Sequence, residues 1–306
     1  MDIIVHDSIT PLRAVYRAPS DQRGAVLAEQ VLEPLRSLWQ PMVAFAPQAS
    51  ADQIGIAASF LAPGYAAIDA DAAVAALDQL EQINAIELAR TTLERCAQTF
   101  ADAGRSPLVE RVDCAILLGD PNDQAFINMS KGYTGFGGMP GRIIMLIWPN
   151  DFNLSRLQAA IAHEFHHNVR LSFDPWPPAI SVGEYIVLEG LAESFAGALY
   201  GSDKVGPWVT TLTRDEIDHA KARIGAAIGE RDWNEVRGYI FGDTMADQMG
   251  FKKQHLPYCA GYTIGYHVVQ AWLGRTGRSI VDATFVSAAE IVADSQYFGV
   301  TTTSTS

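Results

Sequence analysis

The sequence predicts an α+β fold, mostly helical, with one small mixed sheet. Two observations predict it. Long stretches place apolar residues three and four apart, the spacing of a helix with one buried face. Against them stand only two compact apolar runs of strand length, residues 112–119 and 142–148, bounded by Gly and Pro. The change of character near residue 105 suggests a mainly helical region over 1–105, a second domain over 106–298 and a disordered tail over 299–306.

Taken in order, residues 20–39 read as a helix with Leu27, Val31, Leu35 and Leu38 inward, disturbed by Pro34. Residues 41–66 are rich in Pro, Gly and Ala and show no clear element. Residues 69–103 read as one long helical tract that starts near Asp69 and stops at Gly104. Its apolar positions Val74, Leu77, Leu80, Ile83, Ile86, Leu93 and Phe100 suit a core-facing helix. The first strand, 112–119, follows. Residues 132–141 are glycine-rich but lack the Gly-Lys-Ser/Thr ending of a phosphate loop, so they read as a flexible approach to the second strand. That strand, 142–148, ends at Pro149, and its sequence suits an edge or an interior position equally.

Leu154, Leu157, Ile161, Phe165 and Val169 then recur at helical spacing, with Asn153 or Ser155 to cap the start. A second helix carries Leu188, Leu191, Phe195 and Leu199 on one side. Residues 210–240 are charged and helical, 242–257 read as a loop, and a last helix runs from about 257 to 273, ending at Gly274. The tail 301–306 holds only Thr and Ser.

Composition limits the function. The chain has 22 basic and 35 acidic residues, a net charge of −13, and no basic cluster, which disfavours nucleic acid or an anionic membrane as partner. Cys96, Cys114 and Cys259 are odd in number and far apart, so they read as small core residues. No segment has the length of a membrane helix, and residues 1–10, with Asp2, His6 and Asp7, lack the charged start and apolar stretch of an export signal. A cytoplasmic protein is expected.

The chemistry is concentrated in His163-Glu164-Phe165-His166-His167. Histidines four apart on a helix project the same way and can share one metal ion, and the glutamate between them is placed to take a proton from a water. This H-E-x-x-H spacing is that of zinc metalloproteases, and it falls on a predicted helix, as the motif requires. His166 lies on another face and reads as structural. A catalytic zinc needs a third protein ligand. Glu189 and Glu193 share a face of the next helix, where two carboxylates among apolar residues call for a positive charge nearby. Glu189, 22 residues after His167, is the expected ligand, and Glu193 is expected to accept the other ring N–H of a ligating histidine. Glu184 is a weaker rival.

The chain resembles a gluzincin, the group with two histidines and a glutamate on zinc, and is similar above all to the YjaZ-like family of predicted zinc-dependent proteases. The resemblance rests on residues 163–167, 189–193 and 256–266 and covers about residues 105–295. It implies a zincin-like metallopeptidase fold, with the sheet beside the metal-binding helix, and a hydrolase. Leu188 departs from the asparagine that many gluzincins carry before the metal-binding glutamate.

The expected activity is hydrolysis of a peptide or protein substrate with one Zn2+ per chain, held by His163, His167 and Glu189. Glu164 is the expected general base and Tyr262 the donor to the developing oxyanion, with Tyr258, Tyr266, His255 and His267 as rivals. The alternatives are a non-enzymatic module in which zinc stabilises a peptide-binding or regulatory fold, and hydrolysis of a small amide.

Overall fold

In the computed structural model, residues 1–43 and 52–299 are described. Strand β1 (Asp2–Val5) leads into helices α1 (Ile9–Arg17), α2 (Arg23–Leu27), a π-helical turn Ala28–Leu32, α3 (Arg36–Val43), α4 (Gln53–Leu61), α5 (Ala70–Gln82) and α6 (Ala85–Asp102). Then come β2 (Arg111–Leu118), α7 (Gln124–Asn128), β3 (Tyr133–Met139), β4 (Arg142–Ile147), α8 (Asp151–Leu154) and α9 (Leu157–Phe173). The remainder is helical: α10 (Val182–Tyr200), α11 (Pro207–Thr210), α12 (Arg214–Ala226), α13 (Trp233–Met249), α14 (Ala260–Thr276), α15 (Ile280–Ala283) and α16 (Ala288–Ser295). The protein is thus mostly helical with a small mixed sheet. The residues group into two compact units, Met1–Asp102 with Ser106–Asn168, and Ala103–Arg105 with the chain from Val169 on.

The sheet belongs to the first unit and has the order β1-β2-β4-β3. β1 and β2, and β2 and β4, run parallel, while β3 returns antiparallel to β4. β2 is central, and from Val112 to Leu118 every residue is buried, which explains the apolar run from Cys114 on. β4 is therefore an interior strand. The glycine-rich segment, expected to be a flexible approach, is itself the edge strand β3, and a register shift interrupts its pairing between Phe136 and Met139. Period-2 alternation could not reveal it, because the glycines carry no side chain to alternate.

Several expected elements divide where backbone chemistry intervenes. The 69–103 tract is two helices, broken at Asn84, whose φ is 52°. Asp69 does cap the first, accepting from the Ala72 N–H at 2.9 Å. The 20–39 helix is interrupted by the π turn and by Pro34, with Leu27, Val31, Leu35 and Leu38 all buried as expected. Helix α4 forms within 41–66, where no element was expected; residues 44–51 lie outside the described set. Asn153 does not cap α9: it joins the capping box of α8, in which the Asn150 side chain accepts from the Asn153 N–H and the Asn153 side chain from the Asn150 N–H, and α9 starts afresh at Leu157. Asn153 is buried and donates to the carbonyls of Lys131, Gly132 and Trp148.

In the second unit, α10 and α14 cross at glycine. A Cβ on Gly190 would strike the Gly265 carbonyl, and one on Gly265 would strike that of Ile186, so the two backbones touch. Around the crossing lie Ile186, Leu191, Ile264, Val268 and Trp272. The expected loop at 242–257 is helical up to Met249, with a kink at Gly242 (φ 75°), and α14 ends at Gly277 in the left-handed region rather than at Gly274. Arg170, buried near the end of α9, donates to the carbonyls of Thr284 and Val286 at 2.6 and 2.7 Å and pairs with Asp174. All three cysteines are buried and unbridged. No helix among the described residues is long and apolar enough to cross a membrane. The expected disorder of the tail concerns residues that, from 300 on, lie outside the described set.

Candidate metal centre

The histidine motif lies within α9, where Phe165 and His166 turn inward and leave His163, Glu164 and His167 on the other side. Phe165 and His166 pack on Phe100 of α6, with ring centroids 6.3 and 6.5 Å away. The Nε2 atoms of His163 and His167 approach to 3.0 Å, with the rings edge-on at 85°. Two nitrogens ligating one tetrahedral zinc sit about 3.3 Å apart. The pair therefore has the spacing of zinc ligands. His163, His167 and Glu189 are all buried, and one ligand atom of each lies within 4.8 Å of the others. Two imidazoles and one carboxylate are a donor set that zinc accepts, leaving its fourth position open.

Glu164 is seated by the edge strand. A Cβ on Gly135 would collide with the Glu164 carboxylate, and one on Gly137 with its backbone carbonyl. The two glycines let β3 lie directly against this turn of α9. Asn168, fully buried one residue after the motif, locks the arrangement. Its Oδ1 accepts from the N–H groups of Gly141 and Arg142 at 2.6 and 3.1 Å, and its Nδ2 donates to the carbonyls of Gly137 and Arg142 at 2.8 and 3.0 Å. The hairpin is thus held to the motif helix by one side chain. The negative charge of Glu164, after burial and Asp113, contributes to raising the Cys114 thiol to about 12.

Glu193, one turn beyond Glu189, is buried and accepts from the Gly206 N–H at 2.9 Å and the Trp208 indole N–H at 2.6 Å. It fastens the loop after α10. Trp208 also lies against Tyr262, ring centroids 5.9 Å apart, and its carbonyl accepts from Thr263 at 2.6 Å. Tyr262, on the first turn of α14, is partly exposed and touches Phe241 as well. Tyr266, one turn on, has its phenol raised by burial and by the charge of Glu193. His267 stacks on Tyr297, and burial lowers its pKa. His255 is exposed, at a positive φ. Glu184 caps α10: it accepts from the Ser181 N–H at 2.6 Å and pairs with Arg231.

Gly135, Gly137, Asn168 and Trp208 were not singled out as site residues in the sequence. A glycine-glycine pair two apart before the motif, and an asparagine inside an apolar helix turn, were the available signals. Their meaning depends on which strand lies against α9.

Fold and donor set together define a chain with a buried His, His, Glu group suited to a metal ion. The chain belongs to the family described as "Predicted Zn-dependent protease (DUF2268)", which matches residues 86–293. It is similar to the uncharacterized protein YjfC of Bacillus subtilis (strain 168), 33% identical over 305 residues, which cover 97% of this chain and 99% of that one. It is also similar to the uncharacterized protein YjaZ of the same organism, 23% identical over 146 residues, 47% of this chain and 53% of the relative. No solved structure matches it.

Proposed function

We propose that the protein is a zinc-dependent peptidase of the gluzincin kind. The observation that carries this reading is the meeting of His163, His167 and Glu189 around one point, with Glu164 in the intervening helical turn. His163 and His167 would hold the ion through Nε2, and Glu189 through a carboxylate oxygen. When bound, zinc supplies Lewis acidity toward water and a substrate carbonyl. Glu164 takes the proton of the attacking water and returns it to the leaving amine. Gly135 fixes where that carboxylate rests. Tyr262 is the proposed donor to the oxyanion. Strand β3, at the edge of the sheet, is the place for an extended peptide to add as a further strand.

Metal analysis of the purified protein is expected to find about one zinc per chain. A mixed peptide library is expected to be cleaved by the parent and left intact by Glu164→Gln, with zinc content unchanged. Cleavage by that variant at the parental rate would remove Glu164 from the mechanism. Full zinc content with no cleavage by the parent would favour the non-enzymatic module.

A further inference from the structure

Six aromatic rings of the second unit stand in series. Trp176 meets Tyr185 edge-on at 5.7 Å, and Trp233 stacks on the same ring at 6.2 Å and 21°. Phe241 touches Tyr185 at 5.9 Å and Tyr262 at 6.2 Å, and Tyr262 touches Trp208. Two members of the series attach to one face of α10. Tyr185 is one turn before Glu189, and Trp208 is bonded to Glu193, one turn after it. The aromatic series therefore meets α10 on either side of the candidate ligand Glu189.

Its outer end faces water. Trp176 is 41% exposed and Trp233 50%, while Phe241, Tyr262 and Trp208 are partly exposed. Neither outer indole is a frayed side chain. Trp176 sits between Pro175 and the Pro177-Pro178 pair, which restrict the backbone on both sides. Trp233 opens α13, whose first turn Asp232 caps, and the Arg237 guanidinium covers its ring at 5.6 Å. Large apolar rings held rigidly in water are not core packing, and such surface marks a binding site.

We propose that this arc is a specificity surface that takes an aromatic side chain of a peptide beside Glu189. The proposal rests on the peptidase reading for its substrate class, but the binding it requires does not depend on turnover. An aromatic residue would meet rings edge-on or offset-stacked from several directions, contacts that a small side chain cannot make.

The test uses the full-length Glu164→Gln protein, loaded with zinc, and fluorescent peptides that differ only by Phe or Ala at one scanned position. Polarisation is expected to show about tenfold tighter binding of a Phe peptide at one position, the size of effect that aromatic contacts give. Trp176→Ala and Trp233→Ala, each made singly, are expected to shrink that preference several-fold, and Trp233→Phe to keep most of it. Both indoles are half exposed, so zinc content should stay at the parental value and the melting temperature should fall by only a few degrees. Equal binding of Phe and Ala peptides at every position overturns the proposal, as does a full preference in both alanine variants. A preference found in this protein when the parent cleaves nothing would leave the specificity surface standing and remove the peptidase.

Discussion

At the scale of single residues, the centre depends on side chains that are absent as much as on those present. Gly135 leaves room for the Glu164 carboxylate. Gly135→Ala is expected to displace that carboxylate and lower peptide cleavage at least tenfold while zinc content, read by metal analysis, stays the same; unchanged cleavage would show that β3 does not govern the base. Asn168 satisfies two N–H groups and two carbonyls of the hairpin. Asn168→Ala leaves buried polar groups unpaired and should cost roughly 2–4 kcal/mol in urea unfolding. Asp113 offers a pH test away from the metal. Hydrogen bonds from Arg111, then from His6, hold its carboxyl below the usual range against the effect of burial. A depressed folded pKa means the stabilisation is complete above the unfolded value near 3.9 and is lost as pH falls through the folded one. Asp113→Asn should therefore flatten the acid limb of the stability curve below about pH 4. An acid limb as steep as the parent's would place the linkage elsewhere.

At the scale of elements, the α10–α14 crossing shows how packing positions chemistry. The helices meet backbone to backbone at Gly190 and Gly265, next to Glu189 on one helix and one turn from Tyr262 on the other. Gly265→Ala forces the helices apart and should cost about 2 kcal/mol or more, with weaker zinc retention against a chelator. Gly274, on the same helix, has open space around it. Gly274→Ala should instead add up to about 1 kcal/mol through helix propensity. Thermal or urea unfolding of the pair separates crowding from any general intolerance of α14 to alanine. The histidine helix, by contrast, was legible in advance, because its apolar positions and its motif share one period. The edge strand was not. A strand is recognised by side chains that alternate, and β3 gives up its side chains to come close to Glu164.

At the scale of the whole molecule, the candidate donors come from two segments separated by 22 residues, so a bound metal would link the folding of both. Removing it with a chelator is expected to lower the melting temperature by roughly 5 °C or more, and restoring zinc should reverse the change. An identical melting curve with and without chelator would mean that the ion contributes nothing to the folded state. The negative net charge, −13, disfavours polyanions as partners.

The sequence alone determined the helical character, the two central strands and the residues able to ligate a metal, because each is a local property of spacing and side-chain chemistry. Only the tertiary structure decided that β4 is interior and β3 the edge, that Glu193 is held by Gly206 and Trp208, and that an aromatic series meets α10 on either side of Glu189. Those facts come from residues distant in the chain, or from glycines whose role is to let other atoms approach, and no local pattern encodes which atoms those are.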